Sequence, residues 1–469
     1  MMSLSHVCNA VNGQLIGADV MAQNVAINTR SDCDGRLFIA LKGDNFDAHD
    51  FVKQAKDSGA VALMVERDVD CDLPTVKVAS THQALKDLAA WWRSQFAIPL
   101  LGITGSVGKT TVKEMLGAIF AELGRGVVTK GNLNNEIGVP LTLMRLNSQD
   151  QYAVVEMGMN HAGEIGRLTE IARPTVALVN NAAAAHLEGL GTIEAVAHAK
   201  GEIFSGLAVN GVAVINLDDP FADLWLGLVG DKRVITFGLK SGADVSASFE
   251  QQGRFLQLNV TALGESVEAR VNSVGEHNAC NVLAAIAMAC AANISLGMAV
   301  KGLENYQPVN GRLQPIQLND FLLFDDTYNA NPASMQAAIR VLRGYENNLL
   351  IVGDMAELGD SAEAEHYSLG EYAAAQGVDR LWVCGRYASL VSDGFSANGQ
   401  SQMCMTFASQ EQLLLEMASQ FNESELTVSA ILVKGSRSSE MERVVESLRL
   451  LSNKRNTNAD VNDVSREVH

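Results

Sequence analysis

The stretch Leu100-Leu-Gly-Ile-Thr-Gly-Ser-Val-Gly-Lys-Thr-Thr111 limits the possible folds more than any other part of the chain. An apolar run ends in a glycine-rich turn, then a lysine and two hydroxyls. Beyond it, Val112, Met115, Leu116, Ile119, Phe120 and Leu123 recur at helical spacing. The order is strand, phosphate loop, helix. Glycines let backbone N–H groups close around phosphate oxygens, and the helix N-terminus adds positive potential. Gly105, Ser106, Val107, Gly108, Lys109, Thr110 and Thr111 are therefore candidates for holding a nucleotide. Lys109 can reach the β- and γ-phosphates, and the Thr110 hydroxyl can ligate Mg²⁺. The spacing departs from the strict pattern, because Ile103 stands where the first glycine belongs. A plain glycine turn before a helix is the alternative.

A chain of 469 residues accommodates about three domains of ordinary size. Its 35 basic and 54 acidic residues give a net charge of −19, which argues against nucleic-acid or anionic-membrane binding. A phosphorylated small substrate needs only a local basic pocket and stays allowed. The N-terminus lacks a signal-peptide pattern, and the seven scattered cysteines contain no CxxC pair. Both features point to a cytoplasmic protein with reduced thiols. The uncharged run Ala279–Val300 is long enough to span a membrane. It is rich in alanine and carries Asn281 and Asn293, so it reads as a buried core helix without stable membrane insertion.

Three α/β blocks follow from the pattern of short apolar runs. Residues 1–95 hold Leu37–Leu41 and Ala60–Val65 as strands in a small α/β unit, with Ser94–Pro99 as linker. Residues 96–311 alternate Tyr152–Val155, Val176–Val179, Val212–Ile215 and Val234–Phe237 with helical patterns, which predicts a parallel sheet covered on both faces. A second linker, Asn305–Arg312, opens residues 312–452, where Phe321–Phe324, Leu349–Val352, Leu381–Cys384 and Ile431–Val433 repeat the pattern of a doubly wound, Rossmann-like domain. Residues 453–469 form a polar tail expected to be poorly ordered.

Several constellations sit where such sheets place ligands, at the carboxyl ends of strands. Glu156 ends one strand and is a candidate Mg²⁺ ligand or a solvated carboxylate. His186 follows another strand, either as a site residue or as a packed one. Lys200 reads as a surface charge. If buried with a lowered pKa, it could add CO₂ and become a metal-ligating carbamate. Asn278 and Asn281 open the alanine-rich segment, as readers of an adenine edge or as helix caps. Arg312 is a cation between domains. Asp325-Asp-Thr-Tyr-Asn-Ala-Asn-Pro-Ala-Ser334 reads as a site or as ordinary turn chemistry. Lys434-Gly-Ser-Arg437 looks like a small anion-binding loop or a solvated turn.

Together these residues resemble the Mur ligases, ATP-dependent amide-forming enzymes of peptidoglycan precursor synthesis. The resemblance runs through Thr104–Thr111, Thr129–Pro140, Glu156–His161, Ala199-Lys200, His277–Asn281 and Arg312. In the family's loop the strict first glycine is absent as well. Asn180–Gly189, Asp326–Pro332 and Val352–Gly359 resemble the branch that adds D-alanyl-D-alanine to UDP-N-acetylmuramoyl-tripeptide. The Asp-Asn-Pro-Arg motif typical of the diaminopimelate-adding branch is absent from the chain.

The resemblance implies an acyl-phosphate mechanism, with Lys109, Glu156, His186 and Lys200 as catalytic residues. It implies ATP and two Mg²⁺ ions, held by Thr110, Glu156, His186 and a carbamylated Lys200. Asn278, Asn281, Arg312 and Asp326 would join the phosphate loop in binding ATP. The uridine substrate would fall to Thr29, Arg30, Ser31, Lys42, Gly43, Asp47, His49, Asn134 and Asn135. The dipeptide would fall to Tyr328, Asn329, Asn331, Ser334 and Lys434. A monomer is expected, with a site completed when the last domain closes over bound ATP.

Overall fold

The computed structural model describes residues 1–30, 33–183, 187–240, 242–318, 321–397, 403–422 and 427–464. Three large sheets organise the described residues. A five-stranded sheet within residues 14–77 runs in the order Gln14–Ile16, Thr75–Lys77, Ala62–Val65, Leu37–Ile39, Val25–Ala26. The helix Thr81–Ser94 then leaves this unit with Leu85, Leu88 and Ala89 buried. They share a core with Val139, Leu143 and Ile165 of the next unit. Each such apolar side chain taken from water contributes roughly 1.5–3 kcal/mol, so the first two units are firmly joined. The linker after this helix is also held. Buried Arg93 donates from Nε to Ala172 O at 3.1 Å and from Nη2 to Ile98 O at 3.2 Å.

The middle sheet has nine strands. Its parallel part runs Val127–Val128, Ala153–Glu156, Leu100–Thr104, Val176–Val179, Val212–Asn216, Arg233–Phe237. Successive strands are laid down on opposite sides of Leu100–Thr104, so the order reverses where that strand ends, the usual place for a ligand. The expected parallel sheet is extended at its far edge. Val245–Gln252, Phe255–Ala262 and Glu265–Val271 form two antiparallel hairpins that extend it. In the central strand of the three, Leu256, Leu258, Val260 and Ala262 are buried and Asn259 and Thr261 are exposed, the period-two pattern of a sheet with one wet face.

The alanine-rich segment is buried, as its composition suggests, but forms two helices, Glu276–Ala291 and Leu296–Glu304. Asn293 takes a left-handed φ of 65° between them, and Ser295 caps the second by accepting from Met298 N–H. Small alanine side chains let the first helix lie close on the sheet and on helix Lys109–Ala121. No helix among the described residues is long and apolar enough to cross a membrane.

The third sheet runs Gln314–Gln317, Leu322–Asp326, Ala430–Lys434, Asn348–Val352, Arg380–Cys384, Cys404–Phe407, parallel except for the first strand. The last helix runs from Glu442 through Val464. Its first turns are anchored by buried Val444, Val445 and Leu448. Extending a formed helix costs far less than nucleating one.

Candidate active site between the middle and third sheets

The carboxyl ends of the middle and third sheets face one cleft of about 420 Å³. On the middle side, Gly108 at φ 86° ends the phosphate loop and precedes helix Lys109–Ala121. A Cβ there would lie 2.4 Å from Asn281 Oδ1, so only glycine lets the loop approach this closely. Lys109 Nζ donates to Gly105 O at 2.6 Å. Burial pulls its ammonium below the ordinary value; Glu156 opposes that pull and Arg312 adds to it. Thr110 Oγ1 donates to Glu156 Oε2 at 3.0 Å, and Asn134 Nδ2 donates to Glu156 Oε1 at 2.9 Å. Glu156 is itself 3% exposed, a carboxylate fixed at the end of its strand. Ser106, Val107, Thr111 and Asn135 complete this wall.

Asn278 and Asn281 also border the cleft, but the structure gives their amides another task. Asn278 Nδ2 donates to Val274 O, Asn281 Nδ2 to Asn278 Oδ1, and Asn180 Nδ2 to both Asn281 Oδ1 and Val107 O, all at 2.9–3.0 Å. This relay braces the phosphate loop from residues that also line the cleft. Sequence reasoning gave Asn180 and Asn181 no role. Asn181 clamps Val107 twice, accepting from its N–H and donating to its carbonyl, both at 2.9 Å. The signal was the pair of amides directly after strand Val176–Val179.

From the third side, Asp326 and Lys434 meet at 2.6 Å, and Lys434 Nζ also donates to Asn329 O at 2.9 Å. Lys434 is 2% exposed, so the anion-binding turn expected there is an internal ion pair. Asn331 and Ser334 line the cleft but form a reciprocal cap on helix Pro332–Leu342. Arg312 bridges the two sides, donating from Nη2 to Thr110 Oγ1 at 3.3 Å with its guanidinium stacked over Tyr328. His277 also faces the cleft, with a pKa lowered to about 4 by burial, partly offset by Asp326. Neither His277 nor the Ala356–Leu358 stretch of the opposite wall was singled out for a site role.

The comparisons with known proteins agree with this arrangement. Family models match in chain order: "Mur ligase family, catalytic domain" at residues 22–93, "Mur ligase middle domain" at 103–289 and "Mur ligase, glutamate ligase domain" at 311–437. The UDP-N-acetylmuramoyl-tripeptide–D-alanyl-D-alanine ligase of Escherichia coli (strain K12) is 44% identical, over 95% of this chain and 98% of its own.

The chain belongs to the Mur ligase family.

The enzyme of the same name from Bacillus subtilis (strain 168) is 32% identical over 95% of this chain and 98% of its own. Among solved structures, MurF from Acinetobacter baumannii aligns with a TM-score of 0.88 and 35% identity, covering 95% of this chain and 98% of that one. MurF ligase from Thermotoga maritima in complex with ADP aligns with a TM-score of 0.81 and 28% identity, covering 94% and 100%.

In this Mur ligase, Lys200 lies on helix Ile193–Gly201 and is 1% exposed, which corrects the surface-charge reading. Burial lowers its pKa well below the ordinary value, and nearby Lys109 lowers it further. His186 and Ser31 lie outside the described residues. In the first unit, Thr29, Arg30, Lys42 and Gly43 follow the carboxyl ends of Val25–Ala26 and Leu37–Ile39, away from the interdomain cleft. Asp47 and His49 are taken up internally. His49 Nδ1 meets Asp47 Oδ1 at 2.6 Å, and His49 Nε2 accepts from Glu66 N–H at 2.9 Å. A 4%-exposed histidine with both ring nitrogens engaged anchors this turn.

Proposed function

We propose that this chain joins D-alanyl-D-alanine to UDP-N-acetylmuramoyl-tripeptide at the expense of ATP, forming the pentapeptide precursor of peptidoglycan. The observation that carries the reading is one cleft with a braced phosphate loop on one wall and a polar third-domain wall opposite, in a chain similar to that ligase from end to end. Forming an amide from a carboxylate requires a better leaving group than oxide. The tripeptide's terminal carboxylate attacks the γ-phosphorus of ATP, and ADP leaves. The dipeptide amine then attacks the acyl carbon, loses a proton, and phosphate departs.

The chain's own groups fit these demands. Lys109 and the loop amides stabilise charge that develops on the transferred phosphoryl group. Thr110 Oγ1 and Glu156 Oε2, 3.0 Å apart, are hard oxygen donors on one side of the loop and suit Mg²⁺. Such an ion screens the repulsion between carboxylate and triphosphate. Lys200 is buried where a neutral amine is favoured, the form that adds CO₂ and releases a proton to give a carbamate. With His186 it would hold a second Mg²⁺. Asn329, Asn331, Ser334 and Lys434 border the side open to the dipeptide. Thr29, Arg30, Lys42 and Gly43 in the first unit, with Asn134 and Asn135 at the cleft, lie on the path of the uridine substrate. The working form is a monomer in the cytoplasm.

A mass-resolved ligation assay tests the reading. The protein is given ATP, Mg²⁺, a UDP-tripeptide carrying diaminopimelate or lysine, and a panel of dipeptides. Product of the summed peptide mass is expected with D-alanyl-D-alanine. Ligation of single amino acids in its place would overturn the assignment.

A further inference from the structure

Tyr328 follows the strand Leu322–Asp326 and is tied to the interdomain linker by its backbone, which donates to Gly311 O at 3.0 Å. The guanidinium carbon of Arg312 sits 3.7 Å from the centre of its ring. A flat cation seated on an aromatic face is held in one plane while its edges stay free to donate. One edge reaches the phosphate loop, where Nη2 donates to Thr110 Oγ1 at 3.3 Å. Nε is buried and has no hydrogen-bond partner among the described residues. An unpaired buried donor is costly in the resting protein, so the guanidinium is arranged for an acceptor other than those the chain supplies.

We propose that Tyr328 is a positioning residue for the nucleotide: its ring holds Arg312 against the phosphate loop, so that the terminal phosphates of ATP meet an oriented guanidinium. In this role the ring does not read the dipeptide. The proposal rests on the ligase reading above, and it ties the third domain to the loop through one stacked pair.

The test uses the full chain with Tyr328→Leu, which removes the ring, and Tyr328→Phe, which keeps it. Affinity for a non-hydrolysable ATP analogue is measured by calorimetry, alongside KM for ATP and for D-alanyl-D-alanine. The leucine variant should bind the analogue roughly three- to tenfold more weakly. Its KM for the dipeptide should stay within about twofold of the parent. The phenylalanine variant should restore analogue affinity. Tyr328→Leu combined with Arg312→Lys should be no worse than Arg312→Lys alone. If the leucine variant does not fold, Tyr328→Gln takes its place. A raised KM for the dipeptide with unchanged analogue affinity would overturn the proposal, as would fully additive losses in the double variant. Calorimetry needs no turnover, so a failure of the ligase reading would show separately, as a parent protein that binds the analogue but makes no amide.

Discussion

Lysines of the middle and third domains, Lys109 and Lys200 on one side and Lys434 on the other, are treated differently. Lys434 on the third-domain wall is neutralised within the protein by Asp326 at 2.6 Å. Lys109 on the middle-domain wall and Lys200 on helix Ile193–Gly201 of the same domain belong to no ion pair among the described residues, and burial lowers both of their pKa values. Desolvating a cation without a partner is unfavourable. The middle domain therefore leaves Lys109 without a carboxylate partner of its own, available to an anion that arrives with the substrate, and keeps Lys200 as an amine that can itself become an anion. The third wall has its charges satisfied and serves as a shaped, polar surface. Rigidity follows the same division. The phosphate loop is braced by Asn180, Asn181 and Asn281, whereas the sole side-chain bridge from the linker to that loop is Arg312, among the described residues.

Substitution of Lys200 should have the largest effect on chemistry. Lys200→Ala is expected to lower ligation on the order of 10²–10³-fold, the usual range for losing one charge-stabilising group at a reacting centre. Added acetate should recover part of the rate by standing in for the carbamate. Full activity in a folded Lys200→Ala protein would erase the distinction between the two walls. Its stability is expected to hold or rise, because burying an amine that must give up its proton costs folding free energy.

Asp326→Ala should do the opposite to stability. It leaves Lys434 buried without its carboxylate, a change that typically costs about 3–5 kcal/mol. Denaturant unfolding, read by a third-domain probe such as Trp382, checks this. A loss below about 0.5 kcal/mol would place the pair in the class of weak surface bridges.

How much of this was legible in the sequence depended on whether a feature was local. The phosphate loop is strand, turn and helix within a dozen residues, so its chemistry could be read directly. Glu156 stood out because it ends an apolar strand that follows the phosphate loop in the same sheet. The clamp by Asn181 joins residues 74 apart, and the Lys434–Asp326 pair joins residues 108 apart, and no local pattern states either. Asn278 and Asn281 are candidate adenine contacts by residue type; only the fold shows that their amides also join a network that reaches the phosphate loop. The hairpins Val245–Val271 were missed because their exposed, polar alternation resembles loop sequence. The Asn293 break was hidden inside a run of uniform apolar composition.

The central claim is that the charge reserved on the middle wall drives ligation in this cleft. It is tested most directly by ADP release from the parent protein and from Lys109→Ala, with ATP alone, with each peptide substrate, and with both. The account predicts sustained ADP release only when UDP-tripeptide and D-alanyl-D-alanine are both present. It predicts none from Lys109→Ala, which should still bind the uridine substrate. Pentapeptide formation by a folded Lys109→Ala protein, or ADP release from the parent that ignores both peptides, would contradict it.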